Sequence, residues 1–241
     1  MTDETFHLAS DPATVAYTAY QASVKLATTR SQERSQAVQA MARSLKAYQN
    51  EVLEANTLDL EASREMAVPE LILEWLKLTP ERIQTTVQIL QQLSELPDPL
   101  GRVITAAHPV AHYQTYSQLM PLGVISLIYE AFPELSAIAA GLCIKTGNSL
   151  IVKGGSEASN SNFIIAQALH AAIAQTGLPP HCFQMLSSDQ GGQVRDLVTQ
   201  DQYISLVIPY GRPSLVQQIV RLATAPVLKT AMGNCYLYWS P

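Results

Sequence analysis

The sequence predicts an α/β fold in which a parallel sheet is covered by helices on both faces. Two observations support this class. Apolar positions in the first hundred residues recur at helical spacing, and beyond residue 121 short apolar runs alternate with helical patterns. Strand–helix alternation requires crossover connections, which join parallel strands with both faces buried. We also expect an N-terminal helical layer and a β-hairpin arm.

Residues 1–101 are predicted to be helical and to form the first part of a nucleotide-binding domain. In the stretch 13–48, apolar residues recur at steps of three and four. The triplet Thr79-Pro80-Glu81 predicts a helix start, because threonine caps free N–H groups, proline suits the first helical position and glutamate favours the positive helix end. Two prolines shortly after residue 96 should end this helix.

Residues 102–120 are predicted to form a hairpin of the kind used in oligomer contacts. The stretch is rich in β-branched and aromatic residues that partly alternate. His108 and His112 lie four apart within it, a spacing that suits a metal ion on a helix. Because Pro109 lies between them and the surrounding pattern is extended, we expect no metal site here.

Residues 121–241 are predicted to be a Rossmann-like α/β domain. Each short apolar run is followed by a stretch with helical periodicity, which is the pattern of consecutive strand–helix units. The predicted strands are 121–129, 148–153, 182–186, 205–209 and 235–239, and the predicted helices are 135–144, 160–175, a stretch near 190–200 and 213–223.

Composition excludes several classes of protein. Apolar residues make up 47% of the chain and charged residues 15%, which is enough for a buried core and wrong for a disordered chain. The net charge is −5 and lysine and arginine do not cluster, so we expect no nucleic-acid partner. No stretch approaches the roughly 20 apolar residues that a membrane helix needs, so we expect no membrane association.

The cysteines suggest a reducing environment. Cys143, Cys182 and Cys235 are odd in number and lie far apart without a CxxC pair, so neither a disulfide framework nor a zinc site is predicted. We expect a soluble, cytoplasmic protein. Cys143 and Cys182 lie in apolar runs and are predicted to be inert core thiols. Cys235 begins a strand pattern and has no base or activating charge beside it in the sequence.

The segment Lys153-Gly154-Gly155-Ser156-Glu157 connects a predicted strand to a predicted helix. Its glycines allow a ligand to approach the backbone, and Lys153 places a cation at the carboxyl end of a strand, where open α/β sheets bind ligands. A tight turn with a solvated lysine explains the same residues. Short glycine motifs do not decide between these interpretations.

A second strand-to-helix turn covers residues 209–214. A helix N-terminus at this point would offer free N–H groups to a phosphate, although Pro213 removes one donor. From the residues alone, a plain helix start is the favoured interpretation. The sequence contains no GxGxxG, and Gly191-Gly192 lacks the spacing of that motif, so no dinucleotide fingerprint supports the site.

The longest distinctive segment is PLGVISLIYEAFPELSAIAAGLCIKTGNSLIVKGGSEA, residues 121–158. It resembles the signature of the γ-glutamyl phosphate reductases, which belong to the aldehyde dehydrogenase superfamily. Further segments resemble the family in the same order along almost the whole chain: ANTLDLEAS (55–63), LKLTPERI (76–83), DPLG (98–101), TGLPPHCFQML (176–186), YISLVIPYG (203–211) and TAPVLKTAMGNCYLY (224–238).

The resemblance implies an activity and a cofactor. The family reduces L-glutamyl 5-phosphate to the 5-semialdehyde with NADPH, in the proline biosynthetic pathway, and a cysteine nucleophile attacks the acyl phosphate. The resemblance places Lys153 near the adenosine ribose, with Gly154, Gly155, Ser156 and Glu157 beside it, and it places Gly211 opposite the pyrophosphate. These six residues are the expected NADP-binding site, and no catalytic or metal-binding residue is assigned.

The sequence also departs from the family pattern. The chain reaches Pro241 before the domain that carries the family's nucleophile, so we expect it to be inactive alone. Phe132 stands where the family typically has an arginine, and Glu134 stands where it has an asparagine. Replacing a cation by an aromatic ring and an amide by an acid should weaken recognition of an anionic substrate.

Two functions therefore remain open. The chain is either the nucleotide-binding half of a reductase or a diverged, non-catalytic relative that binds a nucleotide or a protein partner. In the family, the hairpin of residues 103–120 pairs with C-terminal strands that this chain lacks, to form an arm that grips another subunit. We thus expect self-association or a protein partner through this stretch, with Val103, Ile104, Val110 and Tyr113 at the contact.

Overall fold

The fold is built around a four-stranded parallel sheet. The computed structural model describes residue 8 and residues 11–105, 116–187, 193–230 and 237–239. The strands that it describes are β1 (Val103–Thr105), β2 (Tyr116–Gln118), β3 (Val124–Tyr129), β4 (Ser149–Lys153), β5 (Phe183–Met185) and β6 (Leu206–Tyr210). The helices are α1 (Pro12–Ala27), α2 (Ser31–Ala47), α3 (Gln49–Glu65), α4 (Glu70–Leu76), α5 (Pro80–Glu95), α6 (Leu135–Lys145), α7 (Ser159–Ala174), α8 (Gln193–Val198) and α9 (Pro213–Leu222).

The helix starts follow the capping signals in the sequence. At α5 the Thr79 side chain accepts a hydrogen bond from the backbone N–H of Arg82, and Pro80 occupies the first helical position, as predicted. Asp11 caps α1 in the same way through the N–H of Thr14, at 3.0 Å. The predicted end of α5 is also confirmed, because the helix stops at Leu96, directly before the proline-rich turn.

The large sheet has the strand order β5-β4-β3-β6, and its described pairs are all parallel. The chain therefore moves outward from β3 through β4 to β5, and then crosses to the other side of β3 to form β6. A short extended segment follows α9 and continues the sheet beyond β6. The N–H of Val207 donates to Pro226 O at 2.8 Å, and the N–H of Leu228 donates to Val207 O at 2.9 Å.

Helices cover both faces of the sheet, as predicted. One face, which includes Leu127 and Leu150, packs against α6 and α7, and α2 and α5 form an outer layer over these helices. The other face, which includes Ile128 and Ile151, packs against α1, α8 and α9. The N-terminal helices are thus divided between the faces, because α1 lies opposite α2 and α5.

A polar contact explains why α1 lies on that face. Gln184 of β5 is buried, and its side-chain amide donates to the backbone carbonyl of Val15 at 3.0 Å. The rings of Tyr17 and Tyr203 pack edge to face with centroids 5.5 Å apart. No periodicity in the α1 sequence distinguishes one face of the sheet from the other.

β1 and β2 form a separate antiparallel pair in which Val103 pairs with Gln118 and Thr105 with Tyr116. This confirms the predicted hairpin strands. Its connecting residues 106–115, which include both histidines, lie outside the described residues. The strand predicted at 235–239 is not observed in its described part, because residues 237–239 have no strand structure and their side chains are more than four-fifths exposed.

Among the described residues, no helix is both long enough and apolar enough to cross a membrane.

A buried carboxylate from α3 fixes the start of α7. No side chain of its own caps α7, whose cap position is Ala158. Asp59 supplies the missing acceptor, because its carboxylate accepts hydrogen bonds from the backbone N–H groups of Asn160 and Ser161 at 3.0 and 2.8 Å. The Ser161 hydroxyl donates to it at 2.6 Å. Asp59 thereby positions the helix that follows the Lys153-Gly154-Gly155 loop.

We expect Asp59→Asn to lower the free energy of unfolding by about 1.5–3 kcal/mol, because hydrogen bonds to a buried charged acceptor are lost and an amide group faces other donors. Urea denaturation followed by circular dichroism measures this. Glu61→Gln, at an exposed position of the same helix, is the matched control and should change the value by less than about 0.5 kcal/mol. Equal midpoints for the two variants would contradict this role of Asp59.

Candidate functional site

The candidate site lies at the carboxyl ends of β3, β4 and β6. In the sheet, Ile128 of β3 is flanked by Lys153 of β4 on one side and by Pro209 of β6 on the other. The connections after β3 and β6 diverge at this point, which forms the type of crevice where open α/β sheets bind ligands. The two strand-to-helix turns predicted from the sequence, residues 153–157 and 209–214, therefore lie at the same edge of the sheet.

Lys153 and Gly154 are both buried. Lys153 is the last residue of β4 and is only 6% exposed, so the interpretation of a solvated lysine is wrong. A Cβ atom on Gly154 would overlap the Asn162 side-chain amide and lie 3.1 Å from Tyr129 Cζ. Since Tyr129 donates a 2.7 Å hydrogen bond to Asn162 Oδ1, these two side chains form a buried floor under the loop. Burial also raises the pKa of Tyr129 well above its ordinary value, so the phenol remains a donor.

Glu157 connects the β4–α7 loop to the β3–α6 loop. Its Oε1 accepts a hydrogen bond from the backbone N–H of Ala131 at 3.0 Å. The carboxylate lies against Gly155, where a Cβ atom would collide with both of its oxygens. Ser156 begins a 3₁₀ turn and is exposed. The predicted loop therefore presents a serine hydroxyl to solvent while its glutamate holds the neighbouring loop.

Gly211 lies under the carboxylate of Glu130. A Cβ atom at position 211 would lie 2.6 Å from Glu130 Oε2, so only glycine fits without displacing the glutamate. The same oxygen accepts the backbone N–H of Arg212 at 2.6 Å, and Oε1 accepts the Arg212 Nε and Nη2 groups at 3.0 and 2.9 Å. These hydrogen bonds raise the pKa of Arg212 above its ordinary value. A carboxylate thus occupies the N-terminus of α9, where the resemblance places the pyrophosphate.

An aromatic cluster that the sequence did not predict lies beside this turn. The ring of Phe132 stacks on Trp75 of α4 with centroids 5.0 Å apart, and it meets the ring of Tyr210 edge to face at 5.3 Å. Glu134 forms an ion pair with Arg82 of α5. Both departures from the family pattern in residues 129–134 therefore have partners in this chain. In the sequence, only the unusual residues Phe132 and Glu134 indicated that this part of the site differs from the family pattern.

The two cysteines that the structure describes are buried, unreactive thiols. Cys143 lies on α6 and Cys182 directly before β5, and both are buried. Desolvation raises the pKa of each thiol to about 12, so neither is a thiolate near neutral pH. This confirms that both are core thiols. Cys235 lies outside the described residues. In the described part of the chain, histidine, cysteine and carboxylate side chains form no cluster that could hold a metal ion.

The sheet and its crossovers define an open, parallel α/β domain, and comparison with known proteins identifies the family. The sequence pattern of the aldehyde dehydrogenase family matches residues 8–233. The chain belongs to the aldehyde dehydrogenase family. This agrees with the superfamily to which the resemblance assigned it.

Curated relatives make the relationship more specific. The chain is 53% identical to gamma-glutamyl phosphate reductase 2 of Synechocystis over 208 residues. This aligned stretch covers 86% of this chain and 50% of that protein. It is 41% identical over 220 residues to gamma-glutamyl phosphate reductase of Gloeobacter violaceus, with 91% of this chain and 52% of that protein covered. The chain thus spans about half the length of these relatives.

Solved structures show the same fold. Gamma-glutamyl phosphate reductase of Thermotoga maritima superposes with a TM-score of 0.87 at 30% identity, over 94% of this chain and 55% of that one. The enzyme of the same name from Saccharomyces cerevisiae gives a TM-score of 0.84 at 32% identity, over 94% and 57%.

We expect neither Cys143 nor Cys182 to react with a thiol reagent in the folded protein at pH 8. With a pKa of about 12, each is ionised in only about one molecule in ten thousand at that pH. The measurement is thiol titration of the Cys235→Ser variant, before and after denaturation. Two thiols should appear only after denaturation. Reaction of either thiol in the native protein, as fast as free cysteine, would contradict their burial.

Proposed function

We propose that this chain provides the nucleotide-binding half of an NADPH-dependent oxidoreductase of the γ-glutamyl phosphate reductase type. The observation that carries the proposal is the position of Lys153, which is buried at the carboxyl end of β4 and begins the loop whose Gly154 packs on Tyr129 and Asn162. This lysine places a cation at the sheet edge where nucleotides bind in folds of this kind. Family membership and the similarity to gamma-glutamyl phosphate reductases give it its chemical context.

The residues of the β4–α7 loop fit the adenosine side of such a cofactor. Lys153 supplies positive charge for a ribose phosphate, and the Ser156 hydroxyl is exposed and can donate to it. Gly154 and Gly155 leave room for the Asn162 and Glu157 side chains, which pack against this loop and fix its shape. When bound, the cofactor would supply hydride for reduction. The contribution of the chain is to hold and orient it.

The residues at the start of α9 fit the pyrophosphate of the cofactor less well. Glu130 occupies the start of α9 and accepts the Arg212 N–H that a phosphate would otherwise use. A phosphate at Gly211 would have to displace this carboxylate, at the cost of a charge-assisted hydrogen bond. We therefore propose that binding by this chain is weak and depends mainly on the loop that begins at Lys153.

The acyl-transfer step requires a reactive thiolate. Both described cysteines are buried thiols, so neither provides this nucleophile. We propose that the chain on its own binds the cofactor without reducing an acyl phosphate.

A second candidate is a diverged, non-catalytic relative. It is favoured by the ion pairs Glu130–Arg212 and Glu134–Arg82, which neutralise both arginines next to the crevice. Because these two cations are already paired, neither is free to bind an anionic substrate.

NADPH binding distinguishes a functional from a vestigial site. We expect Lys153→Met, which keeps the length of the side chain but removes its charge, to weaken NADPH binding about tenfold or more, because a charge-assisted contact is lost. Isothermal titration calorimetry measures the affinity. Lys25→Met, at an exposed position on α1, is the control and should bind like the unmodified chain. Equal affinity for all three proteins would place the nucleotide elsewhere.

We also propose that the hairpin mediates self-association. Among the described residues, β1 and β2 pair only with each other, and Val103, Ile104 and Tyr116 are each at least half exposed. A two-stranded hairpin is marginal in water by itself, and its outer edges offer unpaired backbone groups to another chain. Apolar residues on such an edge are typical of a contact surface.

Light scattering across a concentration series tests this contact. We expect the unmodified chain to be larger than a monomer, and Ile104→Lys and Tyr116→Lys to shift it toward the monomer, because each buries a charge at the contact. Leu71→Lys, at an exposed apolar position on α4, is the control and should leave the association unchanged. A monomer at every concentration would refute self-association.

A further inference from the structure

A groove of about 340 Å³ opens between α3 and α7, and none of the residues described at the crevice lines it. Its apolar walls are Ala55 and Leu58 of α3 and Phe163 and Ile164 of α7. Leu58 is 57% exposed, and Phe163 and Ile164 are half-buried, so the walls remain open to solvent. Apolar side chains grouped on a surface in this way are typical of a contact site.

Two carboxylates form one rim of this groove. Glu51 and Glu54 line it, and both are exposed. Neither side chain forms an ion pair or a hydrogen bond with another residue in the part of the chain that the structure describes. α7 supplies no charge to the opposite rim, because its lining residues are Asn160, Phe163 and Ile164. The groove therefore combines apolar walls with unpaired negative charge.

The negative charge continues along the exposed face of α3. On an α-helix, positions 51, 54, 58, 61 and 65 fall within about 80° of the circumference and span about 21 Å. Four of these positions are glutamates and the fifth is Leu58, and all five are exposed. We call the four glutamates the acidic stripe.

The basic residues nearest in the sequence do not neutralise the acidic stripe. α3 holds five of the chain's 20 acidic residues but only one of its 15 basic residues. That residue, Arg64, lies about 120° around the helix from Leu58 and so lies outside the stripe. Lys46, at the end of α2, donates to Gln84 of α5 at 3.0 Å.

The acidic stripe opposes the stability of the helix that carries it. Glu51 and Glu54 lie three residues apart, and Glu61 and Glu65 lie four apart, spacings at which like charges repel each other. Glu65 is also the last residue of α3, where the helix dipole disfavours an anion. The fold of α3 therefore does not account for these charges, and a cationic partner would relieve the repulsion.

We propose that the groove and the acidic stripe bind a basic amphipathic helix of another protein. An apolar side chain of that helix enters the groove against Leu58 and Phe163, and its lysine or arginine residues pair with the glutamates of the stripe. The length of the stripe corresponds to about four turns of a partner helix and exceeds what a small ligand spans. The inference does not depend on the proposed cofactor site.

A second copy of this chain fits the surface less well. In a twofold contact through this surface, the acidic stripe of one copy would face the same stripe of the other. Like charges placed opposite each other disfavour association. The charge of the surface therefore favours a partner with a basic contact face.

The probe is a fluorescein-labelled synthetic peptide of about 15 leucine and lysine residues, with the leucines on one face of the helix that it forms. Fluorescence anisotropy measures its binding to the unmodified chain. We expect saturable binding with a Kd of about 1–100 µM at low salt, and weakening of about tenfold or more in about 0.5 M salt, which screens exposed charges. Two control peptides, with serine in place of leucine or glutamate in place of lysine, should each bind at least about tenfold more weakly.

Substitutions in the chain locate the binding surface. The double variant Glu51→Gln/Glu54→Gln and the variant Leu58→Ser should each weaken peptide binding about threefold to tenfold. Asp196→Asn/Asp201→Asn removes the same charge from exposed positions on the opposite side of the sheet, and it should bind the peptide like the unmodified chain. Val24→Ser, at an apolar residue of α1 that is 56% exposed, is the matched control for Leu58→Ser.

Urea denaturation separates binding from folding. Because Glu51→Gln/Glu54→Gln removes like-charge repulsion, its midpoint should equal or exceed that of the unmodified chain, although it binds the peptide less tightly. A lower midpoint would overturn the proposal, because the glutamates would then serve the fold. Equal weakening by Asp196→Asn/Asp201→Asn would also overturn it, since binding would then reflect general attraction to an acidic protein. If Leu58→Ser converted an oligomer of the chain to a monomer in light scattering, the groove would belong to a contact between copies instead.

Discussion

The carboxylate of Glu130 holds together the loops at the carboxyl edge of the sheet. Its side chain is only 12% exposed, and it satisfies both the backbone N–H and the guanidinium of Arg212. Removal of the carboxylate would leave a helix start and a charged side chain without their acceptor, in a site where water reaches only part of it. The glycine at position 211 follows from the space that this carboxylate takes. The shape of the crevice therefore depends on one acidic side chain, which follows directly after the central strand β3.

Much of the fold could be predicted because its signals are local. The start of α5 is encoded by Thr79 and Pro80, and the strands of the large sheet coincide with continuous apolar runs whose two faces are both buried. The position of α1 could not be predicted in this way. It depends on Gln184, more than 150 positions away, and on a tyrosine in the loop before β6. The α1 sequence has small apolar residues on more than one side, so its periodicity is compatible with either face.

The candidate site could also be predicted only in part from the sequence. Lys153 and its glycines were recognisable because a cation and two small residues follow an apolar strand, but that pattern could not show whether the lysine is buried. The contact of Trp75 with Phe132 joins helix α4 to a loop more than 50 positions later. Only the phenylalanine at position 132 suggested that this loop differs from the family pattern, and it did not indicate which aromatic ring would pack against it. Pairings between distant side chains are decided by packing, which composition and spacing do not encode.

The position of α1 has a consequence for how the chain acquires its structure during synthesis. The apolar side of α1, with Val15 and Ala19, belongs to a cluster that includes Ile151 of β4 and also Leu197 of α8, which is translated more than 170 residues later. Contacts of such long sequence separation form slowly, because a large loop must close before they contribute. A nascent chain that already contains α2 to α7 offers α1 the strands β3 and β4, while α8, which packs against α1 on the same face, is still missing. α1 is therefore among the last of the described helices to become fully buried, and until then part of its apolar surface is available to chaperones and to aggregation.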